Sequence, residues 1–593
     1  MADERPPEPL TFEAARERLR ERGYLDRGVE GAVLKGALAA RTRAKSLLLG
    51  GAVGALFLAV AVALAETALN TASSSLPLRD ALVLFLWLAL GSLFVAAVLV
   101  ALLVMAAALR LRGRGDAEGM SAEIAAAFGV LAGVGAVLAA LPALRASGPL
   151  AALGVLLVVA VAVVIAVRAA RGVAIAVVVA SGRAVLSSRR RLGLVGLFAF
   201  LLTLAGGAAA WALRHGPADA GALVVEANAR RVILVGVDGW SDRYLPDAPE
   251  GYSETFGAGG ARFVKPERDV AAFWTTVATG EPASRHGIGS LDLVRVAGVG
   301  AAFRPVGASA FYLRSVLPAF SVARRESVTA AARRVPAMWE VARRAGVASL
   351  VVNWWTTYPA GDGGGTILSN HLYFAARSGA SLAGEGWPPE TTQRAAELAP
   401  RPVPGPGTLE RLVADASGAD DFAMRAFADA FQREKPRLAL LYLPGLDILG
   451  AALADPARTA ADRVALAGAV TSEAAKIRAF LDAPSLRDSV DLLTVLFDGG
   501  RTEAGGVLRL AGPLARPGVS GTIRPADVAP TLLAALGVPA SRELAGTVEA
   551  DLLVPGAVTP ATVATWGLRP RDATAVLDPK EYVENLKSLG YLK

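Results

Sequence analysis

No cysteine occurs among the 593 residues, and histidine occurs only three times, as His215, His286 and His371. The first absence excludes disulfides, thiolate metal sites, iron–sulfur clusters and cysteine nucleophiles. The second leaves little imidazole for metal ligation or general acid–base chemistry. Charge is also scarce: 19% of residues are charged, against about 25% in an ordinary soluble domain. Apolar residues make up 53% and the mean hydropathy is +0.45, which excludes a disordered, collagen-like or wholly soluble chain. The formal net charge of +8 is unevenly placed. Residues 1–213 carry 21 basic and 13 acidic residues, whereas 214–593 carry 40 of each. The basic excess therefore belongs to the apolar N-terminal region. It is not the clustered positive face of a nucleic-acid-binding domain, and no nucleic-acid partner is expected.

Five stretches contain no charged residue: 46–65, 81–109, 124–144, 150–167 and 192–213. A membrane span needs about 20 apolar residues, so these read as about five transmembrane helices. The second is over-long and should tilt or extend beyond the bilayer. The loops give the orientation. Residues 1–45 and the segments after the second and fourth stretches hold 19 basic residues, and the other two short loops hold Arg79 and Arg145 only. By the positive-inside rule the N-terminus is cytoplasmic and everything after residue 213 lies outside the inner membrane, in the periplasm. The five stretches carry no ionisable residue, which argues against a transporter and for an anchor. The domain organisation expected is a cytoplasmic segment 1–45, a helical membrane domain 46–213 and an extracytoplasmic domain 221–593. Residues 10–34 read as a surface helix at the cytoplasmic face.

From Arg231 onward, apolar strand-like runs alternate with helical patterns. Strands are expected at 231–237, 347–353, 438–443 and 490–497, and helices at 336–345, 421–432 and 472–481. That alternation predicts an α/β domain, a mostly parallel sheet flanked by helices. Three acidic residues follow strand runs: Asp238 after VILVGV, Asp447 in LLYLPGLD and Asp498 in LLTVLFD. Ligands of open α/β sheets bind at the carboxyl ends of strands, so these three are the candidate site.

Six ordered segments carry a family resemblance: VILVGVDG (232–239), FWTTVATGEPASRHGI (273–288), MWEVARRAGVASLVVNWWTTYPA (338–360), LLYLPGLD (440–447), TVLFDGG (494–500) and PADVAPTLLAALGVP (525–539). Together they resemble the alkaline phosphatase superfamily, in particular its membrane-anchored bacterial members similar to type I phosphodiesterases and nucleotide pyrophosphatases. The resemblance implies an alkaline-phosphatase-like fold. It also implies a two-metal hydrolase, in which one cation activates a threonine or serine oxygen and the other stabilises the leaving oxygen. It maps Asp238, Asp447 and Asp498 onto carboxylate metal ligands.

The remaining positions depart from that pattern. The nucleophile position is Val270, which has no oxygen. The adjacent Asp269 is the fallback, as base for a water. The histidine expected four residues after the second aspartate is Ala451, the one after the third is Gly499, and 501–512 contain none. Thr275 and Thr276 fall on helix positions, His286 fits the H-G-I turn as a structural residue, and His371 and His215 are also read as structural. The chain therefore reads as a pseudoenzyme, a degenerate member serving as an extracytoplasmic binding or scaffold domain. No cofactor is expected. The alternative is a metal-dependent phosphodiesterase, phosphohydrolase or phosphotransferase with a rearranged site, in which Asp238, Asp447 and Asp498 hold one hard cation such as Mg or Ca. It would act on an envelope lipid, glycan or nucleotide phosphoester. The membrane, and an envelope protein, lipid or glycan, are the expected partners.

Overall fold

The computed structural model describes residues 229–569 apart from short gaps, and of the preceding region 55–56, 59–71, 76, 78–111 and 223. It divides into two units. One comprises 216–293 and 326–593; the other comprises 1–215 together with 294–325.

The first unit is built on the apolar runs. β1 (Val232–Asp238), β8 (Leu438–Leu443) and β9 (Leu492–Asp498) are buried at every position, as strands covered on both faces must be. They form the centre of an eight-stranded sheet with order β2-β10-β9-β1-β8-β5-β6-β7. Here β2 is Gly259–Val264, β5 Ser349–Val352, β6 Thr366–Leu368, β7 Gly386–Trp387 and β10 Gly505–Ala511. The pairs β9–β1, β1–β8, β8–β5 and β5–β6 are parallel. β10 is antiparallel to β9 and β2, and β7 to β6. The sheet is thus mixed, parallel in the middle and antiparallel at both edges. Flanking helices cover it. Phe422, Phe427 and Phe431, from a long amphipathic helix, Thr408–Glu434, join Ile233, Val235, Leu441 and Val495 in the core. Each such side chain contributes about 1.5–3 kcal/mol on full burial.

The helix Val270–Thr279 shows how local signals set an element. Asp269 caps its start, its Oδ1 accepting the Ala271 and Ala272 N–H, and Gly280 closes it at φ +71°. A carboxylate N-cap and a left-handed glycine C-cap are standard helix boundaries. Every residue from Ala271 to Thr279 is buried, and two of the three threonine hydroxyls find partners inside, whereas Thr275 Oγ1 has none among the described residues. Thr276 Oγ1 meets His286 Nε2 at 3.0 Å, and Thr279 Oγ1 donates to Thr275 O at 2.7 Å.

In the second unit, α1 (Ala59–Thr71) and α2 (Leu78–Leu111) are described. Among the described residues one helix, over Leu78–Val98, is long and apolar enough to cross a membrane, where about five were expected. The stretches 124–144, 150–167 and 192–213 lie outside the described residues. So does most of 46–65, whose last residues form the start of the shorter helix α1. The segment 1–45 is likewise outside them.

Residues 294–325 cluster with the N-terminal region rather than with the α/β unit that precedes and follows them. Their strands β3 (Asp292–Val296) and β4 (Ala323–Ser327) pair with each other. Val294, Val296, Val299, Phe303, Leu313 and Leu317 share an apolar cluster with Ala63, Leu76, Leu84 and Leu88. The polar side is a clamp. Asn70 exchanges two hydrogen bonds with the backbone of Val306, at 2.9 and 3.2 Å. Glu66 accepts the Ala308 and Ser309 N–H at 3.1 Å each and the Ser309 hydroxyl at 2.7 Å. Gly307, at φ +82°, lies so close to Glu66 that a Cβ there would overlap the carboxylate.

Candidate functional site

The sheet order brings the three sequence-predicted aspartates together. Asp238 and Asp498 end neighbouring parallel strands and are register partners. Asp447 lies in the first turn of the helix Gly445–Ala454, which follows β8 on the other side of β1. It had been expected at a strand end and is instead one turn into the helix. Two glycines allow this approach. A Cβ on Gly239 would overlap the Asp447 backbone, and one on Gly500 would lie 2.6 Å from Asp447 Oδ1. Both have positive φ, +80° and +69°, which glycine adopts without cost.

Each aspartate has a distinct set of partners. Asp238 is buried and accepts the Tyr442 hydroxyl at 2.6 Å and the Trp274 indole N–H at 3.2 Å, both on Oδ2. Gly236 makes room for that indole, since a Cβ there would stand 2.5 Å from the ring. Asp498 pairs with Lys265 at 2.9 Å, in a pair whose side chains are 2% and 7% exposed. Lys265 follows β2, also donates to the Gly500 carbonyl, and lies 5.6 Å from the Phe273 ring centre. Asp447 is held by Arg501 twice over, by Nε on Oδ2 and by the backbone N–H on Oδ1, each at 2.8 Å.

Burial and crowding raise all three acids. Burial first, then the charge of Asp498, pushes Asp238 up to about 7 against the opposing Tyr442 hydrogen bond and Lys265. Burial and the charge of Asp238 push Asp447 up to about 6, with Arg501 opposing. Asp498 is raised by burial, with Lys265 opposing. A low-dielectric site disfavours three adjacent negative charges. Here two side-chain cations, Lys265 and Arg501, offset the crowded carboxylates.

The other predicted residues lie elsewhere in the chemistry. Val270 is the first residue of its helix and supplies no oxygen. The fallback Asp269 is spent on structure: besides the two capping bonds, its Oδ2 accepts the Leu291 N–H at 3.1 Å. His286 is buried; Nδ1 accepts the Ile288 N–H at 3.1 Å, so Nε2 carries the proton. Burial and the charge of Arg333 push it down to about 3. His371 pairs through Nδ1 with Glu385 at 2.6 Å. His215 lies outside the described residues. Ala451 sits on the helix Gly445–Ala454 and Gly499 directly after β9.

The fold resemblance implies a two-metal centre, and the residues present do not fit one. Two of the three carboxylates are already neutralised by Lys265 and Arg501, and a metal would have to displace them. Neither cation was singled out from the sequence. Lys265 follows a glycine-rich edge strand, GGARFV, that has no clear strand pattern, and Arg501 follows a two-glycine turn. The one available signal was DGGR, a basic residue two positions beyond Gly499, where a histidine was expected.

No family model matches the chain, and no curated protein matches it. Among solved structures it is similar to the phosphonoacetate hydrolase of Sinorhizobium meliloti 1021 in complex with phosphonoformate, at 15% identity and a TM-score of 0.27 over 47% of this chain. It spans 59% of that hydrolase, under two thirds of its length. It is similar to the phosphonate monoester hydrolase of Silicibacter pomeroyi, at 14% identity and a TM-score of 0.28, covering 54% of this chain and 76% of that one. It is also similar to murine ectonucleotide pyrophosphatase/phosphodiesterase 5, at 12% identity and a TM-score of 0.28, covering 55% of this chain and 100% of that one.

Proposed function

We propose that this chain is a membrane-anchored protein whose α/β unit is a degenerate member of the alkaline phosphatase superfamily, acting outside the inner membrane as a binding or scaffold domain. The observation that carries the reading is the pairing of Asp498 with Lys265 and of Asp447 with Arg501. Side-chain cations pair with two of the carboxylates that the resemblance maps onto metal ligands. A lysine or arginine neutralises a carboxylate, but it cannot generate a bound hydroxide or polarise a leaving oxygen as a divalent metal does. The order of the six sequence segments and the convergence of three aspartates beside β1 support the family assignment. The long apolar helix Leu78–Leu111 supports membrane anchoring.

The test uses the full chain purified in detergent. Elemental analysis should find no stoichiometric zinc, and chromogenic phosphomonoesters, phosphodiesters and sulfate esters should show no turnover above a mock preparation across Zn, Mn, Mg and Ca. Two equivalents of zinc with measurable turnover would replace this reading by the hydrolase alternative. One hard cation with turnover would establish the rearranged site.

A further inference from the structure

We propose that the excursion 294–325 is a membrane-interface element that inserts Phe311 and Phe320 into the outer leaflet beside α2. This rests on the anchoring reading above. Three observations carry it.

The first is length. α2 has 34 residues, about 51 Å at about 1.5 Å per residue, against about 30 Å of hydrocarbon. From Gly91 to its end at Leu111 the helix rises about 30 Å, and Arg110, the first charged residue after Asp80, lies in its last turn. The outer hydrocarbon boundary therefore falls near Gly91. At that level the excursion docks: the Tyr312 ring lies where a Gly91 Cβ would be, its hydroxyl donates to Trp87 O at 3.2 Å, and the Trp87 indole donates to Ala297 O at 3.0 Å. Tryptophan and tyrosine gather at this depth in membrane proteins.

The second is exposure. Next to Tyr312, in the helical turns Tyr312–Val316 and Leu317–Ala319 that bury Leu313 and Leu317, the flanking Phe311 and Phe320 stand 71% and 74% exposed. Water is a poor environment for two large aromatic side chains already positioned at a bilayer surface. At the same level of α2, Leu90 is likewise exposed, so this depth of the protein presents apolar surface on both components.

The third is charge. Residues 294–325 contain five arginines, at 295, 304, 314, 324 and 325, and no acidic residue. Aromatic residues at the acyl boundary with basic residues at the headgroups is the composition of an interfacial segment, and arginine suits anionic lipid. A bilayer with anionic headgroups accounts for both the phenylalanines and the arginines.

The chain has no cysteine, so single labels are clean. Phe311→Cys, Phe320→Cys and, as control, Val464→Cys, at a residue 76% exposed in the other unit, are made in the full chain. Each carries an environment-sensitive fluorophore and is reconstituted into vesicles of phosphatidylethanolamine and phosphatidylglycerol containing a nitroxide lipid. Labels at 311 and 320 should be quenched at least twofold more by the shallow nitroxide, and at least twofold less by aqueous iodide, than the label at 464. Carbonate extraction of the same vesicles reports anchoring separately. A chain that resists extraction while all three labels quench equally with iodide overturns this inference alone. Shielding from iodide without nitroxide quenching means a protein surface covers the site and also overturns it. A chain that carbonate releases overturns the anchoring reading, and this inference with it.

Discussion

At the carboxyl ends of β9, β1 and β8 three aspartates crowd together, and two of them are answered by cations from distant loops, Lys265 and Arg501. At the end of α1 a single glutamate, Glu66, is answered by two backbone N–H groups and one hydroxyl. Both places bury carboxylate. In the first, like charges are held close, so the acids are pushed upward and the arrangement depends on neighbouring charge. In the second, one carboxylate organises a turn around itself through Gly307, and no second charge is required. A structural clamp needs only donors, which the backbone provides anywhere. A converging carboxylate cluster needs positive charge, and this chain provides it covalently. That difference is the physical basis for reading the first place as a converted functional site and the second as a fastening.

The largest effect is expected at Lys265. Lys265→Met leaves Asp498 buried and unpaired, and removing one partner of a buried ion pair costs about 3–5 kcal/mol. Denaturation of the full chain at pH 8 should show a loss of that order, and Lys265→Met with Asp498→Asn should recover most of it. A loss below about 1 kcal/mol, the range of surface pairs, would mean that the pair is not buried as described.

Asp238 sharpens the comparison through pH. Its folded value, about 7, lies above the ordinary 3.8. Between those values the folded chain keeps a proton that the unfolded chain has lost, so this group's contribution to stability falls as pH rises through the window and is lowest above 7. Asp238→Asn should therefore stabilise the chain at pH 8, by up to about 4 kcal/mol at 1.36 kcal/mol per pH unit, and change it little near pH 4. Melting curves of both forms across that range check the sign; a benefit that grows toward low pH would contradict it.

Glu66→Gln should cost less, about 1–3 kcal/mol, and its effect should be local. Amide exchange in 294–325 should accelerate while β1, β8 and β9 stay protected. Smallest is Trp87→Phe, which loses one hydrogen bond to Ala297, about 1 kcal/mol. Exchange at 294–325 should rise slightly, and the α/β unit should not respond.

Much of the α/β unit was legible because its strands are continuous apolar runs. The run 438–443 is β8 residue for residue, and 231–237 and 490–497 are β1 and β9 to within two residues. Helices were read too short where tertiary contacts use residues that look like breakers. The stretch 421–432 is the end of a helix beginning at Thr408. Gly418 lies within it because the Tyr373 hydroxyl stands 2.5 Å from where its Cβ would be, and Asp420 because it accepts the Gly445 N–H. The helix expected over 472–481 begins at Ala460, where the capping pair Thr459 and Asp462 was an overlooked local signal. Asp238 and Asp498 were legible because they end strands, and Asp447 because it closely follows one. Lys265 and Arg501 were not, because a lone basic residue in a loop looks the same whether it faces water or a buried carboxylate. The excursion 294–325 escaped notice for a related reason: Glu66 and Asn70 lie just past an apolar run, and sequence adjacency says nothing of the loop they hold some 240 residues away.

Thermal melting with and without divalent cations tests most directly whether side-chain cations hold the metals' place. The full chain and its Lys265→Met/Arg501→Met variant are melted in chelator and in millimolar Mg, Ca, Mn or Zn. A ligand that binds only the folded state raises the melting temperature. The account predicts no shift for the unmodified chain, a lower melting temperature for the variant in chelator, and partial recovery of the variant when a divalent cation fills the vacated positions. A divalent-dependent rise in the unmodified chain equal to or larger than the variant's would contradict it.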